Sequence, residues 1–145
     1  RAIWKYVHSG GFVFAMCSAT DTIDIALAAD GVDIVAPELD HDGITPGYES
    51  KLQFGLCFAF ENFTLVTNPL VYEFSNIDTS NYAVLRGPEA DYFTLFEFAA
   101  KHDPVPTMLT QCHVNVINGF LGQTTGFRQS LVKKSVIVLA KVDGW

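Results

Sequence analysis

Gly10-Gly11-Phe12-Val13-Phe14-Ala15-Met16-Cys17-Ser18-Ala19-Thr20 is a short apolar run that stops at a cysteine, and a helical pattern follows from Thr22 to Ala29. Phe12 to Met16 is too apolar to alternate, which predicts a strand buried on both faces near the centre of a parallel sheet. A buried strand that turns at once into a helix, with a nucleophile-type side chain at the corner, is the layout of a nucleophile elbow. Such a corner lifts the thiol of Cys17 above the sheet edge. It also aims the free N–H groups of the helix N-terminus at the same spot, where they favour a thiolate and suit an oxyanion.

Upstream, Arg1 to Val7 reads as the last turns of an amphipathic helix that stops at Ser9-Gly10-Gly11. Downstream, Ile23, Ala26 and Leu27 share one face of the second helix, Asp21 and Asp24 stand near its start where the dipole favours acids, and Gly31 ends it. Val32 to Val35 is a candidate short strand. Pro37 to Tyr48 is dense in turn formers and reads as a loop. Leu56–Phe60, Phe63–Val66, Leu70–Phe74 and Tyr82–Leu85 are short aromatic or β-branched runs between turn residues, an antiparallel or irregular β insertion. Phe93 to Ala100 fits a short helix or a strand equally, and His102-Asp103-Pro104-Val105-Pro106 is a break. Cys112 to Ile117 alternates weakly, and Ser135 to Ala140 reads as a second buried strand. The expected organisation is a single partial domain: 1–36 forms a helix-strand-elbow-helix core, 37–104 the β-rich insertion, and 105–145 the return to the core sheet. The fold class is α/β, a three-layer flavodoxin-like sheet.

The chain has 145 residues, enough for one domain with a real core, and 49% hydrophobic against 17% charged residues argues for order. A net charge of −7 opposes nucleic-acid binding, which needs Lys and Arg to displace counterions. No apolar run approaches the roughly 20 residues of a membrane span. The chain opens without Met, on a helix entered midway, and closes after a strand with no concluding element, so it reads as a piece of a longer protein. A truncated parallel sheet leaves strand edges unpaired, and self-association through them is expected.

Cys17, Cys57 and Cys112 are odd in number and lack CxxC spacing, which favours neither a disulfide framework nor zinc. Two readings of Cys17 weigh evenly: an activated nucleophile beside the capping candidates Ser18 and Thr20, or a small apolar core residue. Asp21, one turn after Cys17, is in place to orient a substrate, although an acid in a first turn is also ordinary helix chemistry. His113 is the best local base candidate. In an extended segment it points away from Cys112, and the commoner role for such a residue is a hydrogen bond to a backbone carbonyl. Glu38-Leu39-Asp40-His41-Asp42 carries metal-ligand types, but the DxDxDG calcium spacing is absent and a solvated turn is expected. Neither GxGxxG nor a Walker A pattern occurs, and Ser9-Gly10-Gly11 precedes its strand and lacks the Asp-Ser pair of a pyrophosphate loop. No metal or cofactor is expected.

Residues 9–21, Ser-Gly-Gly-Phe-Val-Phe-Ala-Met-Cys-Ser-Ala-Thr-Asp, resemble the strand-elbow-helix of class I glutamine amidotransferase-like domains. More narrowly, Phe63-Thr64-Leu65-Val66-Thr67-Asn68-Pro69 and Gly119 to Arg128 are similar to stretches in bacterial proteins labelled asparagine synthetase B. The resemblance implies that Cys17 attacks a glutamine amide and that Ser18 and its neighbours hold the oxyanion; a carbohydrate or other small-molecule ligand at the sheet edge belongs to the non-catalytic alternative. The family's His-x-Glu partner near the C-terminus has no match here. Ser18 also stands where the family has glycine, and the N-terminal cysteine and SGGxDS loop of true asparagine synthetases are absent. An export signal is common in the group resembled, which implies an exported or periplasmic protein; without the resemblance the expectation is cytoplasmic. The alternative function is a non-catalytic binding or assembly module on the same scaffold.

Overall fold

A computed structural model describes residues 1–71, 73–79, 85–95, 116–119 and 125–141. Helix α1 spans Ala2–His8 and α2 spans Ala19–Ala28. A single helical turn, α3, follows at Pro37–Asp40. Helix α1 ends as its glycines predict: Gly10 adopts φ +90°, and the Gly10 and Gly11 N–H groups donate to the carbonyls of Val7 and Tyr6. Gly11 has a second constraint, because a Cβ there would overlap the Tyr6 ring. Trp4 stacks on His8 at 3.6 Å between ring centres, and Arg1 pairs with Asp30 at the far end of α2.

The buried face of α2 differs from the expected one. Asp21, Asp24, Ile25 and Ala28 are buried at i, i+3, i+4 and i+7, joined by Leu27, whereas Ala26 faces solvent. Two acids on the inner face need a physical reason, and Asp24 supplies one. Its carboxylate is fully buried and accepts the backbone N–H groups of Phe58 (2.6 Å), Ala59 (2.7 Å) and Phe60 (2.8 Å). The segment carrying those groups follows a tight 3-10 turn at Phe54–Leu56. The Lys133 ammonium binds the same stretch from the other side, donating to the carbonyls of Phe54 (2.7 Å) and Cys57 (2.5 Å). Backbone bonds from Lys133 to Ala59 and from Glu61 to Leu131 complete the clamp.

Around this clamp lies the core: Ile25, Ala28, Cys57, Phe60, Phe63, Ile77 and Leu131. Phe54 meets Phe63 edge-on, and Phe127 packs on Phe60. Isolated antiparallel bridges, Phe60 to Val132, Leu65 to Ser75 and Asp78 to Phe127, hold the middle of the chain in place of regular strands. Further on, β1 (Tyr92–Leu95) is the central strand of a three-stranded sheet, between β2 (Val116–Asn118) and β3 (Ala140–Lys141), and both pairings are antiparallel. Tyr92–Leu95 thus resolves the start of the helix-or-strand segment as strand. Tyr82, Ala83, Val84 and residues 96–115 lie outside the described residues.

Three expected strands are not found. Phe12 to Met16 has no regular structure, and Phe12, Phe14 and Met16 are 82%, 74% and 64% exposed. Ile137, Val138 and Leu139 are likewise exposed, and among the described residues regular pairing begins only at Ala140. Val32 to Val35 is irregular. The physical reason is shared: an apolar run is buried only where other elements flank it, and no described strand lies beside these runs. The sheet among the described residues is antiparallel.

Asp24→Asn keeps the shape of the side chain but replaces one acceptor oxygen by a donor facing buried N–H groups. The expected loss of stability is about 3–5 kcal/mol, measured by urea unfolding. A loss under about 1 kcal/mol would show that those N–H groups find other acceptors.

Candidate functional site at the Cys17 corner

The chain enters α2 through a corner of unusual backbone. Cys17 has φ +55°, a left-handed conformation that a non-glycine residue adopts at a cost of about 1–2 kcal/mol. Its side chain is exposed, so the buried-core reading of Cys17 does not hold for this structure. The next residue, Ser18, returns to right-handed helical geometry at φ −58°, ψ −19°, and α2 starts at Ala19. The turn is closed by Ala19 N–H donating to the Met16 carbonyl at 3.1 Å and Thr20 N–H to the Cys17 carbonyl at 3.0 Å.

The hydroxyls do something other than cap. Thr20 Oγ1 donates to the Cys17 carbonyl at 2.7 Å, and Thr22 Oγ1 to the Ser18 carbonyl at 2.6 Å. Ser18 makes no side-chain cap. Carbonyls are therefore doubly bonded while the N–H end stays open. Among the described residues, none accepts a hydrogen bond from the N–H of Cys17 or Ser18. A thiol, two free backbone donors and the positive end of a ten-residue helix thus share one exposed corner.

Asp21 is not on that surface: it is 4% exposed, and its Oδ1 has no hydrogen-bond partner. Burial pushes its carboxyl above the usual range, and the nearby carboxylate of Asp78 adds to the effect. Both His113 and Cys112 lie outside the described residues. Among the described residues no histidine hydrogen-bonds to Cys17; His8 is engaged with Trp4, its Nδ1 lying 2.9 Å from the Trp4 carbonyl.

Cys57 is the contrasting thiol. Its Sγ donates to the Asp24 carbonyl at 3.3 Å, and burial, reinforced by the charge of Asp24, pushes its pKa up to about 12. It is a core residue and inert.

One grouping escaped the sequence reading. The carboxylates of Asp33, Asp40 and Asp42 lie within 4.8 Å of one another, because Asp33 and Thr45 exchange hydrogen bonds and fold the loop back on itself. Repulsion from Asp40 raises the Asp42 pKa, followed by a hydrogen bond with Asp40 and repulsion from Asp33. Only Asp40 and Asp42 are near enough in sequence to have been considered together. No local signal brings in Asp33. The trio is part-exposed, and exposed acids group in this way without an ion.

Two outcomes are expected. At pH 8, iodoacetamide should alkylate Cys17 and spare Cys57 until the protein is unfolded, as read by peptide mass spectrometry. Equal labelling of both in the native state would contradict the burial of Cys57. The second concerns Asp21, whose folded pKa lies above the unfolded value of 3.8. Between those two values the folded state holds a proton that the unfolded state has released, so stability falls as pH rises through the window. Asp21→Asn escapes that loss. Its melting temperature should exceed that of the parent at pH 7, with the advantage shrinking at pH 3; an equal difference at both pH values would sink the assignment.

No known protein family, curated protein or solved structure matches the chain.

Proposed function

We propose that the chain is part of an amidotransferase-like cysteine hydrolase, with Cys17 as nucleophile on a flavodoxin-like α/β scaffold. The observation that carries this reading is the left-handed backbone of Cys17 at an exposed corner that leads directly into α2. Strain at a non-glycine residue persists where surrounding structure holds it, and such positions concentrate at functional sites. The nucleophile elbow uses the same device to push its reactive atom clear of the neighbouring backbone.

In the reaction so read, the Cys17 thiolate attacks the carbonyl carbon of a primary amide and forms a C–S bond. Negative charge moves to the carbonyl oxygen, which the free N–H groups of Cys17 and Ser18 receive. Each such donor is worth about 3–4 kcal/mol to the transition state where a comparable group has been removed. Collapse expels the nitrogen, which takes a proton and departs as ammonia, and leaves a thioester. Water then cleaves the thioester and restores the thiol. A base is required for the first and last proton transfers; in this reading it comes from outside this chain, with His113 the candidate within it. Asp21, buried beneath the corner, supports α2 and does not touch the substrate in this scheme.

A second reading has its own observation. Phe12, Phe14 and Met16 stand exposed immediately before Cys17, a surface that suits a binding module with no covalent step. An electrophilic glutamine analogue, 6-diazo-5-oxonorleucine, separates the two. The hydrolase reading expects a covalent adduct on Cys17, lost in Cys17→Ala; slower adduct formation in His113→Ala would mark His113 as the base. Absence of any adduct at millimolar analogue, with Cys17 still open to iodoacetamide, would reject the nucleophile and leave the binding module.

A further inference from the structure

Two peptide units meet at the Cys17 corner, and each has its carbonyl tied down while its N–H is open. The Met16 carbonyl accepts the Ala19 N–H at 3.1 Å, and the N–H of that same unit, on Cys17, has no acceptor among the described residues. The Cys17 carbonyl accepts twice, from the Thr20 N–H at 3.0 Å and from the Thr20 hydroxyl at 2.7 Å. The N–H of this second unit belongs to Ser18 and is open too. A peptide unit is planar, and the described residues contain no cis bond, so its N–H points opposite to its carbonyl. Fixing one therefore fixes the other. Thr20 draws the Cys17 oxygen toward the body of α2, which turns the Ser18 N–H away from the helix and out of its N-terminal end.

We propose that Thr20 is a positioning residue for the reaction of Cys17: its hydroxyl holds the Cys17–Ser18 peptide unit so that the Ser18 N–H meets the oxyanion. The assignment rests on the hydrolase reading, in which negative charge gathers on a carbonyl oxygen at this corner, and adds to it a residue that touches neither substrate nor sulfur. This unit is the one that needs holding. Cys17 has φ +55°, a costly value for a non-glycine residue, and a strained backbone relaxes by turning the adjoining peptide unit. Both bonds to the Cys17 carbonyl oppose that turn.

A threonine hydroxyl in a helix commonly bonds a carbonyl three or four residues back with no functional consequence. Thr22 shows the difference. Its Oγ1 donates to the Ser18 carbonyl at 2.6 Å. The N–H of that peptide unit is on Ala19, and it already donates to the Met16 carbonyl. Thr22 therefore steadies a unit with no free donor, whereas Thr20 steadies one whose donor is open to a ligand. The two side chains are the same in type and both stand in the first turn of α2, so one serves as the control for the other.

Two reagents separate orientation of the donor from mere support of the helix. With p-nitrophenyl acetate the Cys17 thiolate attacks the carbonyl carbon, charge gathers on its oxygen, and the C–O bond breaks to release p-nitrophenolate and leave an acetyl thioester. With iodoacetamide the sulfur displaces iodide from carbon, and no charge gathers on oxygen. The measure is the ratio of acylation to alkylation at Cys17. Acylation is read as the initial p-nitrophenolate release that Cys17→Ala abolishes, and alkylation by peptide mass spectrometry. N-acetylcysteine gives the ratio for a free thiol, and the full chain should exceed it. Thr20→Val and Thr20→Ala should each lower the ratio about tenfold or more, with alkylation itself changed by less than about twofold. Thr20→Ser, which keeps the hydroxyl, should restore the ratio, and Thr22→Val should leave it unchanged. Protection of Cys57 from iodoacetamide reports that each variant is folded. A parent ratio no higher than that of N-acetylcysteine overturns the hydrolase reading and the role of Thr20 together. A raised parent ratio that survives in folded Thr20→Val or Thr20→Ala overturns the role of Thr20 alone. So does an equal loss in Thr22→Val, or failure of Thr20→Ser to restore the ratio.

Discussion

The carboxylate of Asp24 governs the arrangement of the rest. It accepts three successive backbone N–H groups, from Phe58, Ala59 and Phe60, in a place that water does not reach. Hydrogen bonds to an ionised group contribute about 1.5–3 kcal/mol each, and the same groups left without partners would cost a similar amount. The Lys133 ammonium performs the complementary task on the Phe54 and Cys57 carbonyls. The two charges do not meet. Each is neutralised through the dipoles of the backbone between them, so one stretch of irregular chain is held by opposite charges along its length. Apolar packing of Phe60, Phe63, Ile77 and Leu131 then closes around a backbone whose polar groups already have partners.

This clamp also sets the character of the two described thiols. Asp24 lies on α2 seven residues after Cys17, so anchoring the inner face of the helix fixes the direction from which the chain enters it. Cys57, inside the clamp, has its hydrogen directed at a carbonyl and its ionisation suppressed. Cys17, at the free end of the same helix, has open donors around it and solvent in front of it. One ten-residue helix thus has an anchored inner face and an exposed N-terminal end.

How far this was legible in the sequence depended on the range of the interactions involved. Helices α1 and α2 were readable because glycine stops and 3.6-residue periodicity are local. The short apolar runs of the middle of the chain were expected to form an antiparallel or irregular β insertion; among the described residues they carry isolated antiparallel bridges and 3-10 turns rather than strands. The position of Cys17 before a helix was readable too, but the strand expected to lead into it is not formed. What failed was the inference from apolar to buried: Phe12 to Met16 and Ile137 to Leu139 have the composition of core strands, but burial is a property of neighbours. Asp24 failed for the opposite reason. In sequence it is one more acid near a helix start, and its partners are backbone N–H groups that have no signature in residue type. Ser18 and Thr20 were credible caps, yet the Thr20 hydroxyl turned back to the Cys17 carbonyl and Ser18 made no cap at all. His113 falls outside the described residues.

The clamp joins parts of the chain that are made at different times. Asp24 reaches forward 34 to 36 residues to its backbone partners, and Lys133 reaches back 79 residues to Phe54 and 76 to Cys57. During synthesis, which proceeds at about 5–20 residues per second, the first bonds can close as soon as residue 60 leaves the ribosome. The carbonyls on the other side must wait until Lys133 has followed. For several seconds the nascent chain holds one side of the clamp without the other, with Phe60 and Phe63 still lacking Leu131 above them. A molecule with its organising contact divided in this way completes its core only once Lys133 has emerged, and during that interval the segment is held from the Asp24 side alone.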